Sequence, residues 1–157
     1  MRSSRTSSTN LHERLIDMKK STFYILSFTW GLPMTLAGII TASFLLILGY
    51  KPQRWGACWH FDIGGNWGGL NLGPVFLTSS NPSEYIKNHE HGHAIQNCYF
   101  GIFTPFIILI PSAVRYWYRE YREHINKPCT TGYYDIWFEK QASELGIKYA
   151  TMWNKEG

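Results

Sequence analysis

Residues 82–98, PSEYIKNHEHGHAIQNC, form the stretch on which the fold and the chemistry of this chain depend. The signals at its start predict a helix. Asn81 can cap a helix, Pro82 suits its first turn, and Glu84 follows Asn81 by three residues, as in a capping box. We therefore predict a helix over about 82–98.

The centre of this helix reads His89-Glu90-His91-Gly92-His93 and matches the pattern H-E-x-x-H. Positions i and i+4 share a helix face, so His89 and His93 can bind one metal ion. Glu90 can reach a water molecule on that ion, take its proton and pass it to a leaving amine, and zinc lowers the pKa of such a water. The pattern predicts Zn²⁺ as the cofactor and Glu90 as the catalytic residue. Solvated histidines on a polar helix are the competing interpretation, and His91 points off the ligand face.

A catalytic zinc site needs a third protein ligand. The last predicted helix, over about 135–153, offers Glu139 at the border of its apolar stripe, where a carboxylate can face the edge of the core. The stripe consists of apolar side chains at helical spacing: Phe138, Ala142, Leu145, Tyr149 and Met152. Glu139 is the predicted ligand, an ordinary surface carboxylate is the competing interpretation, and Asp135 and His124 are the alternative ligands.

The two segments together resemble the gluzincin family of zinc metallopeptidases. In that family a second helix supplies the glutamate in an E-x-x-x-D arrangement, and residues 139–143 of this chain read Glu-Lys-Gln-Ala-Ser. The resemblance implies that Ser143 takes the place of the aspartate that orients a zinc-binding histidine. Another family spacing, HExxHxxGxxH, is excluded, because Gln96 and Tyr99 stand where it requires glycine and histidine.

Residues 55–78 mix aromatic and β-branched residues with glycines and predict a β-hairpin. One strand is expected near 55–63 and the other near 70–78. A hairpin before the metal-binding helix is similar to zincin folds, in which an edge strand pairs with an extended substrate peptide. The resemblance implies that residues 67–78 provide such an edge through main-chain hydrogen bonds. A plain packed hairpin is the alternative.

An uncharged apolar run occupies residues 23–50. It is long enough for the roughly 20 residues that cross the hydrocarbon of a bilayer, and it exceeds the apolar part of a signal peptide. We predict a transmembrane anchor over 22–50, with Pro33 kinking or starting the helix. Residues 1–21 are predicted to be a polar N-terminal segment, and residues 51–157 a zincin-like metal-binding domain.

Residues 99–114 are also apolar, but the run is short and interrupted by Gly101, Pro105 and Pro111. A run of this kind is more often buried, interfacial or re-entrant than spanning. If it crossed the bilayer, the two histidines and Glu139 would lie on opposite sides. The shared metal site therefore also favours a buried or re-entrant segment.

The formal charge of +4 comes from Lys and Arg near the ends of the apolar segments rather than from one basic run. Basic residues in such places suit an anionic membrane surface, so we predict membrane lipid and no nucleic acid as partner. Positive charge is heavier before the predicted anchor than after it, which favours an integral membrane protein with an extracytoplasmic site. The three cysteines are scattered and predict no disulfide framework.

The sequence thus predicts an α+β protein with one N-terminal transmembrane helix followed by a small zincin-like domain. We expect a membrane-anchored zinc peptidase that hydrolyses a peptide or protein substrate through a zinc-bound water. The alternative is a non-enzymatic membrane protein whose structural zinc site serves partner binding. Tyr133, Tyr134 and His124 are the candidate donors to the negative charge that develops in hydrolysis. Residues 91–97 and 110–120 are also similar to small bacterial membrane proteins of unassigned activity.

Overall fold

The computed structural model describes residues 17–154, which form an α+β fold of five α-helices and a four-stranded mixed sheet. The helices are α1 (Lys20–Phe28), α2 (Leu32–Ile47), α3 (Glu84–Phe100), α4 (Ile110–His124) and α5 (Trp137–Asn154). The strands are β1 (Gln53–Trp55), β2 (Cys58–Asp62), β3 (Gly69–Leu72) and β4 (Val75–Thr78). Short helical turns stand at Gly101–Phe103, Pro105–Leu109 and Tyr133–Asp135. The predicted polar N-terminal segment lies, up to residue 16, outside the described residues.

Four strands stand where the sequence predicts two, because each predicted strand contains a tight turn. Gly56, with φ of +58°, lies between β1 and β2, and Gly73, with φ of +68°, lies between β3 and β4. Glycine adopts positive φ without steric cost. Each turn closes a hairpin, and β2 and β4 then pair in parallel in the order β1-β2-β4-β3. The prediction of a single hairpin from 55–63 and 70–78 is therefore wrong.

The sheet lies between α2 on one face and α3 on the other. Along β4, Val75 and Leu77 pack in one apolar cluster with Leu45 of α2, whereas Phe76 packs in another with Ile95 of α3. Alternate side chains of a strand point to opposite faces, so both faces of this strand are covered. α5 packs along α3 and completes the second cluster.

α3 begins two residues later than predicted. The side chain of Ser83 caps it by accepting a hydrogen bond from the Ile86 N–H at 3.3 Å. Asn81, the predicted cap, instead has a φ of +50° in the preceding turn. All residues from 88 to 98 are buried, so α3 is the central helix of the molecule.

The prediction that residues 22–50 form one transmembrane helix is wrong. Among residues 17–154, no single helix is both long and apolar enough to cross a bilayer. The apolar run is split between α1 and α2, whose axes differ by 91°. With 16 residues, α2 is about 24 Å long, whereas the hydrocarbon of a bilayer is about 30 Å thick.

The bend between α1 and α2 has a local cause. Pro33 lies in the first turn of α2, where its missing N–H costs no hydrogen bond. The Gly31 N–H reaches back to the Leu26 carbonyl at 2.8 Å, and the Gly31 carbonyl accepts a hydrogen bond from Asn97 of α3 at 3.3 Å. A Cβ on Gly31 would lie 2.3 Å from the Asn97 amide nitrogen, so a larger residue here would displace the Asn97 side chain.

Residues 99–114 connect α3 to α4 through helical turns, and the axis bends by 114° between the two. Within this segment only Gly101, Thr104 and Ile108 are buried. The segment is therefore mostly exposed rather than buried, and the alternative of a re-entrant segment stays a prediction. The bend brings Ser112 of α4 to the side chain of Glu139 in α5, where the serine hydroxyl donates a hydrogen bond.

Candidate metal centre

Two helices carry the three predicted ligands, and glycines let these helices approach closely. Gly92 of α3 faces the carbonyl of Ala142 in α5, and a Cβ on this glycine would lie 1.8 Å from that oxygen. Gly146 of α5 faces the carbonyl of Asn88 in the same way, at 1.7 Å. Larger residues at either position would force the helices apart. The close contact brings Glu139 beside the two histidines.

The ligand atoms of His89, His93 and Glu139 form a nearly equilateral triangle. Glu139 Oε2 lies 3.0 Å from His89 Nε2 and 3.3 Å from His93 Nε2, and the two nitrogens are 3.2 Å apart. Two ligands of a tetrahedral zinc ion, each at about 2.0–2.1 Å, stand about 3.3 Å from one another. All three side chains are buried, and together they can hold a metal ion.

Ser143 fixes the orientation of His89. The Ser143 hydroxyl donates to the Glu139 carbonyl at 3.2 Å and lies 2.9 Å from His89 Nδ1. Since its hydrogen is used, the serine oxygen accepts from Nδ1–H, and Nε2 keeps its lone pair for a metal ion. Tyr85 stands behind this contact, with its hydroxyl 3.0 Å from the serine oxygen.

Gln96 holds His93 in the same way. The Gln96 side-chain nitrogen donates to the Phe138 carbonyl at 2.8 Å and to the Gln141 side-chain oxygen at 2.9 Å. Its side-chain oxygen therefore faces His93 Nδ1 at 2.8 Å and accepts the hydrogen of that nitrogen. The lone pair of His93 Nε2 consequently points into the triangle.

Three lone pairs therefore face one another in a buried space. With both histidines protonated on Nδ1, Glu139 Oε2 has no hydrogen-bond donor. A buried carboxylate in this position needs a cation or a proton between the three atoms. Two imidazoles and one carboxylate are a donor set that suits zinc. The residues present fit that ion in number, chemistry and spacing.

The protonation of the same atoms shows how strongly the site attracts positive charge. Burial by itself would raise the pKa of Glu139, but its contacts with the Nε2 atoms of His89 and His93, which become hydrogen bonds when a histidine gains a second proton, hold that pKa below its usual range. Burial by itself would lower the pKa of His93, but in that doubly protonated form the hydrogen bond with Glu139 raises it above its usual value. The triangle therefore retains a negatively charged carboxylate that can attract a cation.

Glu90 lies beside the triangle and is held against the edge strand β3. Its backbone carbonyl accepts a hydrogen bond from the Asn71 side chain at 3.0 Å. A Cβ on Gly69 would lie 2.4 Å from the Glu90 carboxylate, so a larger residue at this position of β3 would displace the Glu90 side chain. Burial raises the pKa of Glu90 above its usual value. A carboxylate with a raised pKa is a stronger proton acceptor near neutral pH.

A cavity of about 610 Å³ opens over the three ligand atoms and Glu90. Its walls include β3, with the preceding residues 67 and 68, and α4. By surface area the lining is mostly apolar, with contributions from Met34, Trp67, Ile108, Tyr116 and Trp117. The charged side chains of Arg119, Glu120 and Glu123 on α4 line the cavity as well. A mostly apolar cavity of this size with convergent polar groups is typical of a substrate site.

The alternative ligands do not join the group. Asp135 accepts a hydrogen bond from the Gly132 N–H at 2.6 Å, and His124 is exposed at the end of α4. Within residues 17–154, the metal-binding group contains neither of them. His91 also points elsewhere: its Nε2 accepts from the Ala57 N–H at 3.3 Å, and burial lowers its pKa to about 3.

Of the candidate donors to the negative charge that develops in hydrolysis, Tyr134 lies at the site. Its ring centre lies 4.9 Å from that of His89, and its side chain lines the cavity. Burial raises the pKa of Tyr134, so the phenol keeps its proton. The side chain of Tyr133 lies outside the described part of the structure.

Three side chains that support the site were not predicted from the sequence: Gln96, Ser112 and Asn71. Gln96 follows His93 by three residues and therefore shares its helix face, a signal that could have identified it. Asn71, an amide within an apolar strand, could have indicated a specific hydrogen bond in the same way. Ser112 gave no signal, because its position depends on the 114° bend before α4.

Comparison of the chain with protein families, with characterised proteins and with solved structures gave no match. The resemblance to gluzincins therefore rests on residues 89–93 and 139–143.

Proposed function

We propose that this protein is a zinc-dependent peptidase. The observation that carries the proposal is the position of Glu90, a buried carboxylate next to the three ligand atoms and at the wall of the same cavity. A structural zinc site is usually closed by four protein ligands, whereas a catalytic site has three and an open position. The group found among residues 17–154 has three ligands and faces a cavity, which favours catalysis.

Zinc in this site would lower the pKa of a bound water and polarise a substrate carbonyl. Glu90 takes a proton from the attacking water as the water oxygen bonds to the carbonyl carbon. The same carboxylate then delivers that proton to the amide nitrogen as the C–N bond breaks. One carboxylate therefore serves as base and then as acid, and its raised pKa suits both roles.

The substrate would be an extended peptide paired with β3. This strand lies at the edge of the four-stranded sheet, and Gly69, Leu70 and Asn71 line the cavity. An edge strand offers unpaired main-chain groups, which bind an extended peptide through hydrogen bonds without reading its sequence. The apolar cavity wall would accept an apolar side chain of that peptide. Tyr134 packs against His89 and lines the cavity, so its hydroxyl is the candidate donor to a carbonyl oxygen that gains negative charge.

The first experiment measures zinc per chain by elemental analysis of the purified protein. We expect about one zinc per chain in the wild type and its loss in His93→Ala and Glu139→Ala, since a zinc ion needs all three protein ligands. Absence of zinc from the wild type would remove the basis of the proposal.

The deciding variant is Glu90→Gln, which keeps the size of the side chain and removes its proton acceptor. We expect kcat on internally quenched peptides to fall on the order of 10²–10⁴-fold, the usual contribution of such a group, with zinc content unchanged. Glu144→Gln is the matched control, because Glu144 is an exposed glutamate of α5 outside the cavity.

Turnover that survives Glu90→Gln would contradict the peptidase proposal. A zinc ion bound without any glutamate-dependent turnover would then serve the fold or a partner, which is the alternative for this site.

A further inference from the structure

Two helices of this protein carry exposed apolar stripes that no other described element covers. On α2 the stripe consists of Leu32, Leu36, Ile40, Phe44 and Ile47. On α4 and the turn before it, the stripe consists of Phe106, Ile110, Val114, Trp117 and Tyr121. Both follow helical spacing. Exposure reaches 82% at Ile47 and 69% at Trp117, so these side chains are not partly buried core residues.

The two stripes begin beside each other, because the bends that precede α2 and α4 touch each other. Trp30, at the first bend, packs edge-on against Phe103, at the second, with ring centres 6.0 Å apart. The Trp30 ring nitrogen donates to the Tyr99 carbonyl at 3.4 Å. A Cβ on Gly101 would lie 2.2 Å from the Trp30 ring, so the two bends fit closely. We call the combined surface of both stripes and this contact the apolar face.

Two hydroxyls in the α1–α2 part of the apolar face are satisfied by backbone carbonyls of the same segment. Ser43 donates its hydroxyl hydrogen to the Ile39 carbonyl at 2.8 Å, and Thr29 donates to the Ile25 carbonyl at 2.6 Å. Residues 23–50 contain no charged side chain. A protein partner usually meets a polar rim and gains hydrogen bonds at its interface. A helix in hydrocarbon, in contrast, must satisfy each hydroxyl through its own backbone.

Charged and aromatic residues stand at the borders of the apolar face. Lys19 precedes α1 and Lys51 follows α2, and both are exposed. Tyr50 and Trp30 are exposed at the two ends of α2. Lysines attract anionic headgroups, and tyrosine and tryptophan favour the boundary between headgroups and hydrocarbon. Charge and aromatic placement thus complement an anionic lipid surface.

We propose that the apolar face docks into one leaflet of an anionic lipid bilayer. The α1–α2 bend and the α3–α4 bend insert their apolar stripes side by side, and no single helix crosses the membrane. The opposite face of α2 stays on the sheet, where a Cβ on Gly38 would lie 2.2 Å from the Leu72 carbonyl oxygen. Insertion therefore needs no change in the fold.

Flotation with vesicles tests the proposal. Protein purified in detergent is mixed with equal parts of phosphatidylcholine and phosphatidylglycerol, and the detergent is then removed. The fraction of protein bound to the resulting vesicles is measured on a density gradient. We expect the wild type to float and to remain bound at about 1 M salt, since salt screens charges but not apolar burial. The paired variants Ile40→Lys with Phe44→Lys, and Ile110→Lys with Val114→Lys, should each lower the bound-to-free ratio at least about tenfold.

Ile147→Lys is the matched control. Ile147 is an exposed isoleucine of α5, 51% accessible and outside the apolar face, and its replacement should leave flotation unchanged. Circular dichroism of each variant verifies folding. Glu90→Gln should float like the wild type, so failure of the peptidase proposal and failure of the membrane proposal give different results.

A nitroxide label supplies a second measurement that does not depend on lysine variants. The label is attached to Ile47→Cys or, as control, Ile147→Cys, in a Cys129→Ser background, since Cys58 and Cys98 are buried. Label 47 should be relaxed by oxygen, which concentrates in lipid, and label 147 by a water-soluble nickel chelate. Equal exposure of both labels to the chelate would overturn the proposal. The proposal would also be overturned if the wild type stayed in solution as a dimer and the lysine variants were monomers. In that case a second copy of the chain would cover the apolar face.

Discussion

Ser143 and Gln96 determine which nitrogen of each histidine faces the metal position. Each accepts the hydrogen of one Nδ1, at 2.9 Å and 2.8 Å, and each is fixed by further hydrogen bonds to α5. A histidine ligand without such a partner can rotate and can carry its proton on the wrong nitrogen. The affinity of the site for zinc should therefore depend on side chains that do not touch the ion.

Ser143→Ala tests this dependence. The variant removes the acceptor for His89 Nδ1–H and leaves the three ligands in place. We expect zinc affinity to fall by roughly 10–100-fold, the usual effect of losing a group that orients a ligand, with little change in fold. The measurement is competition for zinc against a chromophoric chelator. Thr151→Ala, at an exposed position on the same helix, is the control, and unchanged affinity in Ser143→Ala would show that His89 needs no orienting group.

The residues of the candidate site could be inferred from the sequence because the pattern H-E-x-x-H is local. Helical spacing alone puts His89, Glu90 and His93 near one point, whatever the rest of the chain does. Glu139 could be selected because it borders an apolar stripe on a second helix. Ser112 could not be selected, since it reaches Glu139 only through the bend between α3 and α4.

At the scale of the elements, the contact between α3 and α5 decides whether the site exists. Gly92 and Gly146 are the points of closest approach, and each faces a backbone carbonyl of the other helix. Backbone atoms cannot move aside as flexible side chains can. Glycine within a helix usually costs about 1 kcal/mol relative to alanine. Here that cost is offset by the close packing that glycine allows.

Gly146→Ala should therefore destabilise the protein although alanine is the better helix former. The added Cβ would lie 1.7 Å from the Asn88 oxygen, so the helices must separate. We expect a loss of about 3 kcal/mol or more in the free energy of unfolding, at the upper end for overpacked cores, together with loss of zinc. Denaturant unfolding and elemental analysis measure the two effects. The control is Glu144→Ala on the exposed side of α5, and a Gly146→Ala variant as stable as this control would contradict the packing argument.

Errors in predicting the elements have the same physical origin, which is glycine at positions that permit abrupt turns. Gly56 and Gly73 each lie inside a stretch that reads as one strand, and each closes a hairpin there. Gly31 permits the bend that divides the apolar run of residues 23–50 into two helices. Hydropathy measures how apolar a run is, but it does not show that one side of the run covers a sheet. Two tertiary contacts provide that information: Asn97 faces Gly31 before α2, and Leu72 faces Gly38 within α2.

At the scale of the whole molecule, α5 ties together parts of the chain that are distant in sequence. Its Tyr149 hydroxyl accepts from the Met18 N–H at 3.1 Å, and its Asn154 side chain accepts from the Gly56 N–H at 2.7 Å. The opposite end of the same helix carries Glu139. A metal ion bound to Glu139 and to α3 would therefore stabilise the contacts of the N-terminal helix and the β1–β2 turn as well.

Removal of the metal should consequently lower the melting temperature of the entire domain in one cooperative transition. With free zinc at about a thousand times its dissociation constant, binding stabilises the folded state by about 4 kcal/mol. For a domain of this size that corresponds to a shift of roughly 8–16 °C. Thermal unfolding followed by circular dichroism, with zinc or with a chelator, measures the difference. His93→Ala is the internal control, because it lacks a ligand and should melt at the same temperature under both conditions. Equal melting temperatures of the wild type with and without chelator would mean that residues 89, 93 and 139 bind no ion that stabilises the fold. The buried Glu139 carboxylate would then have to be balanced by a proton shared with His93.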